Sequence, residues 1–321
     1  MVLPIAEAQL KLINMPNLQE LWFEDGNIVI IAEKTEFRVY RGILAQKSDL
    51  FKDLFTLPQP EGGETLYGCS VVRVQDLATD WYRFLSVLFG GASMWTNNQQ
   101  YSWRLTRSII TISNKYQVDV MRDEAMERLQ KRFPANIDDW DKLYGAEILG
   151  SMSDVISMAN AARLLELPGV RARALYECTQ LSTDQLLVGI ENEDGVREVL
   201  CTEDIKFCVD ARKTLAQEHI KLRVYLTELE DAPVHINNTK CIAARRKLVH
   251  ISQQRSKYID HDPLAPDDDV KNILAEMCRS CRKYHRNEYQ RLRQKLLHKL
   301  PLYFGLGGEE ASEESSSDES D

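Results

Sequence analysis

Phe37-Arg38-Val39-Tyr40-Arg41-Gly42-Ile43-Leu44-Ala45-Gln46-Lys47-Ser48-Asp49-Leu50-Phe51-Lys52-Asp53-Leu54-Phe55 is the stretch whose reading decides the fold. Its apolar period changes midway. Phe37 and Val39 alternate with Arg38 and Tyr40, the period of a half-buried strand. Leu44, Ala45, Ser48, Phe51, Leu54 and Phe55 then fall at steps of three and four, the period of a helix. Ser48 is placed as an N-cap, and Asp49 behind it complements the helix dipole. The stretch therefore predicts a strand, a short turn of helix, and a capped helix with two Phe and two Leu on its apolar side.

Outward from this core the chain continues in a recognisable order. Asn27 to Ile31, after the turn signal Asp25-Gly26, predicts the first strand of a hairpin. Val72-Arg73-Val74, followed by Asp76, predicts a third strand, and Trp81 to Phe89 a helix after it. Tyr116-Gln117-Val118 with Met121-Arg122 marks a turn between two later helices. Taken together, residues 20–133 resemble the BTB/POZ domain. The family pattern is an aromatic-x-hydrophobic segment, a His-basic pair, Ile/Val-Leu-Ala, a Ser, then Phe and a final aromatic. This chain keeps it with Tyr40 in place of the His.

The resemblance implies an α+β fold, a small sheet covered by helices, acting as a non-catalytic protein–protein interaction module. It also implies homodimers built around a buried acid–base pair. Arg41 matches the basic position, Asn27 the acidic one, and Asp25 lies two residues earlier. A third implication concerns cullin ubiquitin ligases, whose adaptors carry a hydrophobic-x-Glu motif after the helix read here as Trp81 to Phe89. Phe89 fits the hydrophobic member, but Gly91 stands at the Glu position, and no Glu occurs from Gly90 to Gln100. A scaffold or adaptor that self-associates in the family manner or binds a partner protein is thus the first reading. A cullin substrate receptor is the alternative.

Beyond Pro134-Ala135-Asn136 the pattern turns helical. Ser153-Asp154 is expected to cap a helix that Pro168-Gly169 ends. Val170 to Cys178, a helix from Thr183-Asp184 and one from Thr202-Glu203-Asp204 follow. The expected layout is a BTB/POZ domain at 20–133, an all-α extension at 134–237, a basic Cys-containing helical segment at 238–306, and a disordered acidic tail at 307–321. The phrases Trp22-Phe23-Glu24-Asp25-Gly26-Asn27, Leu175-Tyr176-x-Cys178, Glu203-Asp204-x-x-x-Cys208 and Cys278-x-x-Cys281 resemble a large group of BTB proteins from mushroom-forming fungi.

Charge is distributed unevenly. The net charge of −9 conceals a basic segment, Asn238 to Leu300, with 15 Lys/Arg against 7 Asp/Glu. Glu309 to Asp321 holds 7 acids and no base. A nucleic-acid-linked regulator is one reading of the basic segment. A solvated or docked helix face is the simpler one, because no aromatic or Gly-rich recognition motif accompanies the charge. In the tail, Ser312 and Ser315 to Ser317 lie in an acidic context that resembles substrates of acidophilic kinases.

Seven scattered Cys and an N-terminus without a basic start or apolar core are expected of an intracellular chain with free thiols. No apolar run is long enough to span a bilayer. Cys278, Cys281 and His285, at steps of three and four, could share a helix side. Cys241 or His250 could then add a fourth zinc ligand. The competing reading puts Leu274, Cys278, Cys281, His285, Leu292, Leu296 and Leu300 on one buried stripe, with the thiols as small hydrophobes and no metal. It is the preferred reading, since zinc pairs usually occupy tight turns. No cofactor is expected and no catalytic residue is assigned. Walker, G-x-G-x-x-G, G-x-S-x-G and H-E-x-x-H motifs are missing, and Gly62-Gly63 and Gly90-Gly91 read as loops.

Overall fold

The computed structural model describes residues 21–56, 63–90, 103–144, 151–227, 238–255 and 261–307. The chain divides into two compact units, residues 1–129 and 130–321. The stretches around Gly62 and Gly91 and the acidic tail lie outside the described residues.

In the first unit the sheet is built on β1 (Ile28–Ala32), whose five residues are all buried. It pairs antiparallel with β2 (Thr35–Val39), from Ile28 opposite Val39 to Ala32 opposite Thr35. Glu33, at φ 53°, makes the turn. On its other edge β1 pairs parallel with β4 (Cys69–Val74), Ile28 against Ser70 through Ala32 against Val74. A two-residue β3 (Thr65–Leu66) completes the order β2-β1-β4-β3. A strand flanked on both edges and covered on both faces needs an unbroken apolar run, which Ile28-Val29-Ile30-Ile31-Ala32 supplies. One face of β1 packs Val29 and Ile31 against Cys69, Leu66 and Val71.

Helix α1 (Arg41–Lys47) follows β2, and α2 (Asp49–Thr56) follows α1. Ser48 separates them with an extended backbone. Its Oγ accepts the Phe51 N–H (3.1 Å) and donates to the Tyr116 carbonyl (2.5 Å). The cap thus ties the α2 start to the end of α4 (Trp103–Lys115). Helix α3 (Ala78–Gly90) begins with its Ala78 N–H donating to the Glu33 carboxylate at 3.0 Å. Gln117, at φ 54°, turns the chain from α4 into α5 (Asp119–Arg132). The core is aromatic: Phe51 stacks on Tyr116 at 5.0 Å, and Trp81 meets Tyr116 edge-on at 5.1 Å.

The second unit is nearly all helix. It runs α6 (Ile137–Leu143), α7 (Met152–Leu164), α8 (Pro168–Cys178), α9 (Thr183–Val188), α10 (Thr202–Thr227), α11 (Thr239–Arg255), α12 (Asp268–Glu276) and α13 (Arg279–Tyr303). Asn136 caps α6 through the N–H groups of Asp138 and Asp139. Helix α7 starts one turn-edge earlier than expected: Ser151, not Ser153, is the N-cap, and Asp154 closes the capping box. A small hairpin, β5 (Ile190–Glu191) with β6 (Arg197–Glu198), interrupts the helices. Cys178 and Cys208 are buried where α8 meets α10; Cys208 Sγ donates to the Leu175 carbonyl at 3.6 Å. Burial raises both thiol pKa values, that of Cys208 to about 12, so neither is a nucleophile at neutral pH.

One expectation is corrected here. Leu274 to Leu300 is not one helical stripe. Helix α12 ends at Glu276, and Cys278 is the extended N-cap (φ −58°, ψ 159°) of a separate helix, α13. The apolar period reads straight across the break because Ala275-Glu276-Met277 are good helix formers. No helix among the described residues is long and apolar enough to cross a membrane.

Candidate functional site

Two places collect the residues singled out from the sequence. The first is the signature stretch itself. Phe37, Val39 and Leu44 are fully buried and Phe51 nearly so, so their work is packing. The polar members are bound locally. The Tyr40 hydroxyl donates to Asp25 Oδ1 at 2.5 Å, Arg38 Nε donates to the Gly26 carbonyl at 2.9 Å, and the Arg41 N–H donates to Asn27 Oδ1 at 2.8 Å. The Asp25 carboxylate, through this bond above all, raises the Tyr40 pKa. Asn27 therefore acts as a cap for the start of α1, a job an amide oxygen does as well as a carboxylate. Outward stand the charged side chains of Arg41, Lys47, Asp49, Lys52 and Asp53 and, against the expected apolar side of two Phe and two Leu, also Leu50 and Leu54, one turn apart on α2 and 39% and 37% exposed, because only Phe51 of this helix reaches the core. Phe89 is half-buried, packed against the rings of Phe23 (5.5 Å) and Tyr40 (6.3 Å).

The second place lies in the C-terminal unit. Cys241 comes from the first turn of α11, where Asn238 caps the N–H groups of Lys240 and Cys241. Cys278 and Cys281 come from the N-cap and first turn of α13. One ligand atom from each lies within 4.8 Å of the others. The Cys278 N–H donates to Cys241 Sγ at 3.4 Å. The N–H groups of Cys281 and Ser280 face the Cys278 sulfur, and the Cys281 one leads in holding its pKa below the ordinary thiol value. Burial instead pushes Cys281 up to about 12. None of the seven Cys forms a disulfide.

His285, one turn beyond Cys281, is 1% exposed, and neither ring nitrogen has a hydrogen-bond partner. Burial, then the charge of Arg245, lowers its pKa, so the ring is neutral. Its nitrogens lie outside the sulfur triangle. His250 belongs elsewhere: it is exposed and bonded to Gln254 at 2.8 Å. The sequence had named Cys278, Cys281 and Cys241; the convergence of two helix starts on them is a tertiary fact with no local signal.

Several cations of the basic segment are held in ion pairs among the described residues. Lys247 bridges to Glu276 (2.7 Å), Arg291 to Glu288, and Arg293 to Asp141 (2.7 Å). An open polar depression of about 450 Å³ lies beside Asp262, lined also by His219, Arg223 and Tyr289. The Asp262 carboxylate is engaged by the hydroxyls of Tyr144 and Tyr176. Comparison with known proteins adds nothing to this geometry: no protein-family model matches the chain, and no curated protein matches it.

Proposed function

We propose that the chain is a non-catalytic adaptor whose N-terminal unit is a BTB/POZ-type interaction module, a second copy of the chain being one of its partners. The observation that carries this reading is what the signature stretch leaves at the surface. Phe37, Val39, Leu44 and Phe51 fill the core, while Leu50 and Leu54 stay outward among the charged side chains of Lys47, Asp49, Lys52 and Asp53. Two exposed leucines one turn apart in a charged surround suit a protein surface better than a small-molecule pocket. The element order, with β1 between an antiparallel β2 and a parallel β4, agrees with this reading.

The test is light scattering of the full chain at micromolar concentration. The expected mass is twice the 36.9 kDa chain, and Leu50→Asp with Leu54→Asp should return it to one chain. A single-chain mass at every concentration, together with an unchanged set of captured proteins for the double variant, counts against the reading.

The cullin alternative is less well supported. Phe89 is engaged by Phe23 and Tyr40, and the loop that would carry the Glu lies outside the described residues but contains none. A missing carboxylate leaves its partners unpaired, a loss of roughly 1–3 kcal/mol, or about 5- to 150-fold in affinity. Calorimetry against a cullin N-terminal domain should therefore show weak or no binding. A submicromolar dissociation constant would move the ubiquitin-ligase reading to first place.

A further inference from the structure

Two helix starts aim at one small volume in the C-terminal unit, and both carry cysteine there. Cys241 stands in the first turn of α11; Cys278 and Cys281 cap and open α13. The positive end of a helix favours a thiolate over a thiol. Arg245 lies one turn beyond Cys241, with Nε and Nη2 buried and unpartnered. Thiolates in the cluster would place a counter-charge within one helical turn of a cation whose buried nitrogens have no acceptor.

Packing alone accounts for part of the arrangement. Cys241 and Cys281 belong to a buried cluster with Leu226, Ala244, Leu248 and Met277. It does not account for the rest. A thiol serving as a hydrophobe needs no backbone N–H directed at its sulfur, yet the Cys278 N–H is directed at Cys241. Nor does packing explain a histidine 1% exposed with two unpaired nitrogens, an arrangement that costs free energy unless something binds them. The preference for thiols without metal rested on Cys278-x-x-Cys281 lying mid-helix. It lies instead on the tight turn between α12 and α13, where structural zinc pairs belong.

We propose that Cys241, Cys278 and Cys281 bind one thiophilic divalent cation of the zinc class, with His285 as the fourth donor. Zinc–sulfur bonds of about 2.3 Å in a tetrahedron set the sulfurs ~3.8 Å apart, so a triangle within 4.8 Å needs only a small contraction. His285 completes the site by changing rotamer, since positions four apart share a helix side. Binding turns three thiols into thiolates and releases their protons to solvent. The centre would then carry one net negative charge, one helical turn from Arg245. It would also join α11, the α12–α13 turn and α13 at the apolar cluster these elements already share.

The test uses the full chain purified under reducing conditions with no metal added. Elemental analysis should find one zinc per chain, retained in Cys201→Ser and lost in the Cys278→Ser/Cys281→Ser double variant. Cobalt titrated into chelator-treated protein should give thiolate-to-cobalt charge transfer in the near ultraviolet and the strong visible bands of a tetrahedral ion. Circular dichroism of the same samples shows whether each is folded. In His285→Gln the visible bands should move while charge transfer persists. A folded chain with no zinc and no charge transfer overturns the proposal. So does an intact mass lighter by two hydrogen atoms under non-reducing conditions, which marks a disulfide. Unmoved visible bands in His285→Gln overturn the assignment of the fourth donor.

Discussion

Asp141→Ala should lower stability by about 3–5 kcal/mol, among the largest losses a single surface-to-core change can cause in this chain. Its partner Arg293 is 2% exposed. Both terminal nitrogens of the guanidinium donate to Asp141, at 2.8 and 2.7 Å, and one also donates to the Leu264 carbonyl at 2.6 Å. Burial by itself would lower the Arg293 pKa; the Asp141 bonds and charge outweigh it and hold the value above normal. Removing the carboxylate leaves a buried cation without its counter-charge, the costly half of breaking such a pair. For a unit of this size the loss corresponds to roughly 6–20 °C in melting temperature. The double variant Asp141→Leu/Arg293→Met should recover much of it, because two apolar side chains leave no charge unpaired. Thermal unfolding of the three proteins distinguishes the cases. An Asp141→Ala loss under 1 kcal/mol, or a double variant no better than the single, would show that the pair is not what holds α6 to α13.

Trp81→Ala should cost about 3–5 kcal/mol in the N-terminal unit. The indole is fully buried between Phe51, Phe84 and Tyr116, with ring centroids 6.1, 5.8 and 5.1 Å away. Its Nε1 donates to Asp76 at 3.2 Å. Asp76 also accepts from Lys115 Nζ (2.5 Å) and the Tyr116 hydroxyl (2.7 Å). Burial would raise its pKa, yet these three donors together hold it below the usual carboxylate value. Trp81→Phe keeps most of the ring volume while removing the donor and leaving a smaller void, so a lesser loss of about 1–3 kcal/mol is expected. Denaturant unfolding followed by circular dichroism measures both. Equal losses for the two variants would assign the effect to the hydrogen bond rather than to the cavity.

The parts of the fold that were legible in the sequence are those set by neighbours along the chain. The change of period at Tyr40 gave the β2–α1–α2 succession, and Ser48 with Asp49 gave its cap, because a cap bonds within three residues. What could not be read depends on distant partners. Arg293 falls among apolar positions of α13, and its counter-charge lies 152 residues away. The halt at Met277 is held by a bond from Cys278 to Cys241, while the local residues favour continuing the helix. The β5–β6 hairpin is two residues a side, too short for a period to register, although Asp194-Gly195 marks its turn. At the cysteine cluster the ligand-type residues were visible, but not the meeting of two helix starts around them.

The parallel pairing of β1 with β4 sets an order of events on the ribosome. Ile28 meets Val39 across a tight hairpin, but meets Ser70 only after 42 further residues (70 − 28) have been made. From Val39 until Ser70 has been made, the nascent hairpin presents one naked edge of Ile28-Val29-Ile30-Ile31-Ala32, an unbroken apolar strand, to whatever lies near the exit tunnel. Synthesis thus exposes a sticky edge well before it makes the strand that shields it. The yield of folded protein should depend on how quickly translation covers residues 33–74.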